Sequence, residues 1–175
     1  MNEAPRIRRA ESTDAGALTD LLLDVVAGGA SVGFMLPLSR ERALEFWQRW
    51  LESAARGERI VLVAEEAAAS RALLGTVQLV LAMPDNQPHR GDIAKMQVHS
   101  SARRRGLGAS LMRAAEEEAR TAGKTLLVLD TVTGSDAERL YARLGWQRVG
   151  DIPNYALFPA GGFCSTTYFF RNLSV

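Results

Sequence analysis

The sequence predicts an α/β protein of the mixed kind (α+β), a mixed β-sheet with helices on both faces. The first observation behind this is size and composition. The chain has 175 residues, 47% apolar and 23% charged, which is enough for one hydrophobic core and ordinary for a globular protein. A second is the alternation of amphipathic helical segments with short runs rich in Val, Leu and Ile. A third is that several of those runs follow one another in the middle of the chain, which breaks a pure βαβ repeat and argues against an all-parallel sheet.

Taken in order, Pro5 to Ala10 alternates in part and reads as a short first strand. Ser12, Thr13 and Asp14 are N-cap types, and Leu18, Leu21, Leu22 and Val25 recur at helical spacing until Gly28 and Gly29 stop the helix. The loop that follows, 28 to 38, carries Val32, Phe34, Met35 and Leu36, apolar residues that call for burial or a ligand. Ser39 caps a second helix with Ala43, Trp47, Trp50 and Ala54 on one face, and Gly57 ends it.

Arg59 to Glu65 and Leu73 to Met83 then read as strands. The alanine-rich stretch between them, Ala64 to Ala72, reads as a hairpin loop. Pro84 to Gly91 is a turn by its composition, and Asp92 to Val98 is a further strand. Leu107 to Ala122 is a third amphipathic helix, Thr125 to Thr131 a buried strand, and Ser135 with Glu138 a capping box opening a short helix that ends near Gly145. Gln147 to Gly150 and Thr166 to Arg171 are predicted as last strands, separated by a Pro/Gly-rich loop from Ile152 to Gly162. No linker or repeat divides the chain, so residues 1–175 are expected to form one domain.

Charge and composition remove several function classes. Lys+Arg 21 against Asp+Glu 20 gives a net charge of +1, without the field that draws nucleic acid or an anionic membrane. The lone Cys164, with two histidines, can neither close an intrachain disulfide nor complete a zinc site, so no metal is expected and a cytoplasmic location fits. The first residues lack the apolar run of a signal peptide, and no segment approaches the roughly 18 apolar residues of a membrane span.

The segment with most chemical content runs Val98-His-Ser-Ser-Ala-Arg103-Arg104-Arg105-Gly106-Leu107-Gly108-Ala109. It leads from a strand, through a basic turn, into a helix. The first N–H groups of a helix lack internal partners and carry the positive end of the dipole. Arg103, Arg104 and Arg105 add full charge, and Gly106 and Gly108 remove the Cβ atoms that would hold a bulky anion away. The combination reads as a phosphate or diphosphate cradle. It is not a P-loop, and it lacks both the third glycine and the first-strand position of a dinucleotide fingerprint.

This segment resembles motif A of the GNAT (N-acetyltransferase) superfamily, Arg/Gln-x-x-Gly-x-Gly/Ala, with Arg103, Gly106 and Gly108 in the fixed places. Ala137-x-x-Leu140-Tyr141-x-x-Leu144-Gly145-Trp146 is similar to motif B of the same superfamily. Gly28 to Met35, Arg103 to Gly108, and Leu129 to Thr131 with Gly134-Ser135 further resemble its tabtoxin-resistance members, which acetylate a β-lactam-containing dipeptide.

The resemblance implies a central, mostly antiparallel sheet with one splayed strand pair that takes acetyl-CoA as co-substrate. Met96, Gln97 and Val98 would then line the pantetheine arm, and Arg103, Arg104, Arg105, Gly106, Leu107, Gly108 and Ala109 the diphosphate. Acetyl transfer to an amine needs a group that removes the amine's proton and one that protonates the leaving thiolate. Asp92 and Asp130 are the candidates for the first, and Tyr141, by its motif B position, for the second. The Val98 N–H is a candidate donor to the thioester oxygen.

The expected acceptor is a small-molecule amine, with toxins or antibiotic-like compounds among the options. A homodimer is expected because the superfamily often forms one. The alternative is a non-catalytic acyl-CoA-binding sensor or scaffold of the same fold. His99, beside the motif, reads as a surface or supporting residue rather than a base.

Overall fold

The computed structural model describes residues 5–66 and 72–173. Residues 67–71, the middle of the expected alanine-rich hairpin loop, lie outside the described residues. The element order is β1 (Arg6–Arg9), α1 (Ala15–Ala27), α2 (Arg40–Ala55), β2 (Arg59–Glu65), β3 (Leu73–Val80), β4 (Arg90–Val98), α3 (Leu107–Thr121), β5 (Leu126–Val132), α4 (Asp136–Arg143), β6 (Gln147–Leu157) and β7 (Phe163–Asn172). The strands form one seven-stranded sheet in the order β1-β2-β3-β4-β5-β7-β6. Every neighbouring pair is antiparallel except β4 and β5, which run parallel.

The helices cover both faces, and two cores result. One packs α3 and α4 against Val77, Leu79, Ile93, Leu127, Leu129 and Phe169 of the sheet. The other packs α1 and α2 against Val61, Val63 and Leu73. Strand alternation divides the residues between the two: Ile93 and Leu129 face α3 and α4, while their neighbours Asp92 and Asp130 face the opposite way. The predicted caps of α2 and α4 act as expected, whereas Asp14 at the start of α1 makes no side-chain cap bond to that helix and accepts from Arg8 and the Glu11 N–H. Ser39 accepts from the Arg42 N–H at 3.2 Å, and Ser135 accepts from the Glu138 N–H at 3.1 Å. The Glu138 carboxylate, however, reaches back to the Gly134 N–H rather than to Ser135.

The main departure from the sequence reading is at the C-terminal end. The segment expected as a Pro/Gly-rich loop is mostly strand, and only 158–162 turn between β6 and β7. β6 is the edge of the sheet, so Pro153 costs no ladder hydrogen bond there. A register shift between Ile152 and Ala156, with Asn154 at φ 53°, absorbs the irregularity as a bulge. β3 is shorter than expected because the Leu81 and Ala82 N–H groups turn away to the Glu58 carbonyl, both at 2.9 Å.

The parallel pair positions the site. β4 and β5 are in register only over Arg90–Asp92 and Leu126–Val128. Beyond that they part, because each follows its other neighbour: β4 stays with β3 to Val98, and β5 with β7 to Val132. A wedge-shaped gap opens toward the C-terminal ends of both strands, where α3 begins.

Candidate active site

The gap is a cleft of about 500 Å³ that passes through the sheet. One wall is β4 from Ile93 to Met96 and the other is β5 from Leu129 to Val132. Ser135, Ala137 and Tyr141 of α4 close one mouth; Gly29 to Gly33 of the α1–α2 loop, with Tyr155, Ala156 and Phe158, border the other. On the β5 side, the main chain of β4 past Asp92 has no ladder partner. Those N–H and C=O groups are available to an extended ligand in the way a sheet edge accepts a strand.

At the open end stands the basic turn. Arg103, Arg104, Arg105 and Gly106 are exposed. None of the three arginines makes an ion pair with a carboxylate among the described residues. Arg104 (φ 61°) and Gly106 (φ 77°) are both left-handed. Gly106 is the N-cap of α3 and offers no side chain to it, and the first intrahelical bond runs from Ser110 to the Gly106 carbonyl at 3.1 Å. The N–H groups of Leu107, Gly108 and Ala109 therefore have no helical acceptor. A Cβ on Gly106 would meet nothing within 4 Å, so this position opens to solvent and needs glycine for its φ.

Gly108 differs from the sequence expectation. A Cβ there would lie 2.9 Å from Leu140 Cδ2 and 3.8 Å from Met96. The glycine thus lets α3 approach α4, and its missing side chain does not face the anion site. Leu107 likewise contributes only its N–H, since its side chain is in the core.

Along β4, Met96 lines the cleft, Gln97 is buried, and Val98 pairs with Gly75 at the end of the ladder. Gln97 leaves both atoms of its amide unpartnered. A short turn at Ser100–Ala102 links the strand to Arg103. It is held to α1 by Asp24, whose carboxylate accepts from the Ser100 N–H at 2.8 Å and its hydroxyl at 2.7 Å. Burial pushes the Asp24 carboxyl up, but these bonds together with His99 and Arg103 leave it below its ordinary value. His99 is occupied locally, with Nδ1 2.8 Å from the Ser101 hydroxyl. It is not among the cleft-lining residues.

Of the three residues singled out for proton transfer, Tyr141 and Asp130 line the cleft and Asp92 does not. Tyr141 is only 5% exposed, with its ring 6.2 Å from Trp146 and 6.1 Å from Phe169. Its hydroxyl makes no hydrogen bond among the described residues. Burial, with a contribution from Asp130, raises its pKa, so the group is protonated at neutral pH. Asp130 lines the cleft and accepts from Thr166 Oγ1 at 2.7 Å. It is the first residue of its facing beyond the point where β5 leaves β4.

Asp92 lies at the closed end of the gap, paired to Arg90 at 2.6 Å, and does not line the cleft. Burial and Asp130 raise its pKa against the pull of Arg90.

Sequence reasoning did not single out Lys95, Tyr155 or Tyr168. Lys95 sits on a bulge between Thr76 and Gln78 of the opposing strand, at φ 51°, which turns it out of simple alternation and into the cleft. The hydroxyls of Tyr155 and Tyr168 are 2.9 Å apart; that bond and Asp130 help push Tyr168 up to about 12. A lysine in a strand carries no signal of a bulge; Tyr155 sits in the segment misread as a loop, and Tyr168 sits in a strand that was read correctly but whose partner across the sheet edge was not.

Comparison with known proteins places this geometry. Residues 30–146 match the family model described as the acetyltransferase (GNAT) family. The chain belongs to the GNAT acetyltransferase family. The family transfers acetyl groups and takes them from acetyl-CoA.

The chain is similar in structure to the acetyltransferase yncA of Salmonella typhimurium, solved with its cofactor acetyl-CoA (TM-score 0.81, 22% identity, 99% of this chain and 96% of that one). It is similar to an N-acetyltransferase of Staphylococcus aureus Mu50 (TM-score 0.82, 19% identity, 98% and 100%). A third similar structure is a ribosomal-protein-alanine N-acetyltransferase of Brucella melitensis (TM-score 0.76, 24% identity, 95% and 99%). At these identities the likeness is one of fold. Among the described residues no helix is long and apolar enough to cross a membrane.

Proposed function

We propose that this chain, as a single domain over residues 1–175, transfers the acetyl group of acetyl-CoA to the amine of a small molecule by direct attack within a ternary complex. The observation that carries this reading is the through-sheet cleft, with an uncapped helix N-terminus and arginines that make no ion pair among the described residues at one mouth, and an acceptor-side pocket bordered by the α1–α2 loop at the other. Acetyl-CoA supplies the activated acyl group as a thioester.

The chain's own residues supply the rest. The N–H groups from Arg104 to Ala109, with the arginine side chains, hold the diphosphate. The open edge of β4 at Met96, Gln97 and Val98 holds the pantetheine arm, and the Val98 N–H is the candidate donor to the thioester oxygen. Asp130 orients the amine and takes its proton, directly or through one water. Asp92 is less well placed, since Arg90 holds it outside the cleft wall, and its role in this reading is to support that end of the strand. The Tyr141 hydroxyl, protonated and without a hydrogen-bond partner among the described residues, donates to the leaving sulfur. Proximity lowers the barrier without a covalent acyl-enzyme.

A small acceptor is supported by the limited cleft beside the α1–α2 loop. The ribosomal-protein enzyme among its structural neighbours makes a protein N-terminus the acceptor to test against it. A toxin or antibiotic-like acceptor rests on the resemblance of the Gly28–Met35 segment. A homodimer rests on family habit and on the exposed Val149, Ile152 and Phe163 of the edge hairpin. A cytoplasmic location rests on the lone Cys164. Free-thiol release from acetyl-CoA, read against a panel of amines, tests the reaction. Amine-dependent release supports it, whereas tight acetyl-CoA binding with no release from any amine leaves a non-catalytic binder.

A further inference from the structure

We infer that the acceptor is a compact molecule bearing a carboxylate as well as its amine, an amino acid or close analogue, with the carboxylate held by the Lys95 ammonium and the amine directed to Asp130. This rests on the reading above and names the substrate class for that site.

Lys95 is turned by its left-handed backbone into the cleft, where it is half-buried. Its Nζ donates to the Val32 carbonyl at 2.6 Å. An ammonium has three N–H donors. Among the described residues the other two have no acceptor, and no carboxylate lies within ion-pair distance of Nζ. A structural tie to one carbonyl would be made as well by a neutral donor, without the cost of half-burying a charge. A charged group left two donors short inside a cleft is arranged for an anion that arrives with the ligand.

The same cleft holds the complementary charge. Asp130 stands on the facing wall and, among the described residues, accepts a single side-chain hydrogen bond, from Thr166. The other charged pair nearby, Arg90 with Asp92, is already neutralised. The acceptor side of the cleft thus presents one cation and one carboxylate that attract each other across the gap but form no ion pair among the described residues, lined between by small and apolar residues and the hydroxyls of Ser31 and Tyr155. A zwitterion satisfies both charges at once. A polyamine would leave the ammonium facing another cation, and a protein N-terminus carries no carboxylate fixed beside its amine.

The test measures thiol release with free amino acids, the corresponding amino-acid amides and the decarboxylated amines, on the wild type, Lys95→Met and Lys95→Arg. Calorimetric binding across the same compounds accompanies it. The wild type is expected to favour the best amino acid over its amide by roughly 10- to 100-fold in kcat/KM, the range of a charge-assisted hydrogen bond. In Lys95→Met the acid-to-amide ratio should fall toward one, and in Lys95→Arg most of it should return.

A lysine that only ties down the loop would lower both substrates together and leave the ratio intact, which would overturn the inference. So would a wild type that acetylates amides or decarboxylated amines as well as acids, and that outcome leaves the acetyltransferase reading standing. If no amine releases thiol, that reading fails instead. Binding then decides the present one, which stands if carboxylate-dependent binding is lost in Lys95→Met and falls if the wild type shows none.

Discussion

Replacing Tyr141 by phenylalanine removes one oxygen atom from the floor of the cleft. The hydroxyl has no hydrogen-bond partner among the described residues, and the ring keeps its neighbours Trp146 and Phe169. Stability should therefore change by less than about 1 kcal/mol, since no internal hydrogen bond is lost. For a chain of this size, that is a melting shift of under ~4 °C. Turnover should fall much further. A positioned proton donor contributes about 100- to 10,000-fold, and the loss should appear in kcat, with the KM for acetyl-CoA nearly unchanged. Because burial holds the Tyr141 pKa above its ordinary value, the wild-type hydroxyl remains a donor through neutral and mildly alkaline pH. The assay is steady-state thiol release with the acceptor saturating, alongside thermal unfolding. A Tyr141→Phe enzyme within twofold of wild-type kcat would refute the proton-donor role and return Tyr141 to the core.

Asp130→Asn should lower kcat/KM by about 100-fold or more at neutral pH, and Asp92→Asn by much less, because only Asp130 lines the cleft; equal losses in the two variants would contradict the assignment. Asp24→Ala frees the Ser100 turn, so acetyl-CoA affinity should drop severalfold by calorimetry, with stability down by about 1–3 kcal/mol for the lost charged hydrogen bonds. Its folded pKa is depressed, so the stability it contributes is present above the ordinary carboxylate range and lost as pH falls through the folded value; the wild-type advantage over Asp24→Ala should shrink in acid. Lys95 has the opposite ionisation. Burial depresses its pKa, the unfolded chain binds more protons below the ordinary lysine value, and stability rises with pH across that window, so denaturant unfolding between pH 7 and 10 should show a steeper rise in the wild type than in Lys95→Met. Gly108→Ala sets a methyl 2.9 Å from Leu140 Cδ2, the end of a half-buried side chain that can turn aside, and Ala favours the helix over Gly, so thermal unfolding should show a change of less than about 1 kcal/mol.

Much of the fold was legible because local chemistry and tertiary packing agree. Ser39 and Ser135 cap the helices they were expected to cap, and Leu18, Leu21, Leu22 and Val25 bury together as their spacing predicts. The order of strands and helices follows from the periodicities alone, and the basic turn was visible because its glycines and arginines fall between a strand and a helix. β6 was obscured because Pro153 and Gly150 read as breakers, whereas an edge strand with a bulge accommodates both. The contribution of Gly108 was assigned to the wrong neighbour, since nothing in the sequence shows that Leu140 lies against it. Asp92 and Asp130 look equivalent in sequence; only the register at which β4 and β5 part places one inside the cleft and the other at its closed end. Lys95 was invisible for the same reason, because its direction depends on one extra residue in β4.

The central claim is that the turn from Arg104 to Ala109 receives the diphosphate of acetyl-CoA, and a crystal structure of the complex measures it directly. The account predicts diphosphate oxygens about 3 Å from backbone nitrogens of that segment, with the pantetheine arm along the open edge of β4. A diphosphate bound elsewhere on the molecule, with those amides still facing solvent, would contradict it.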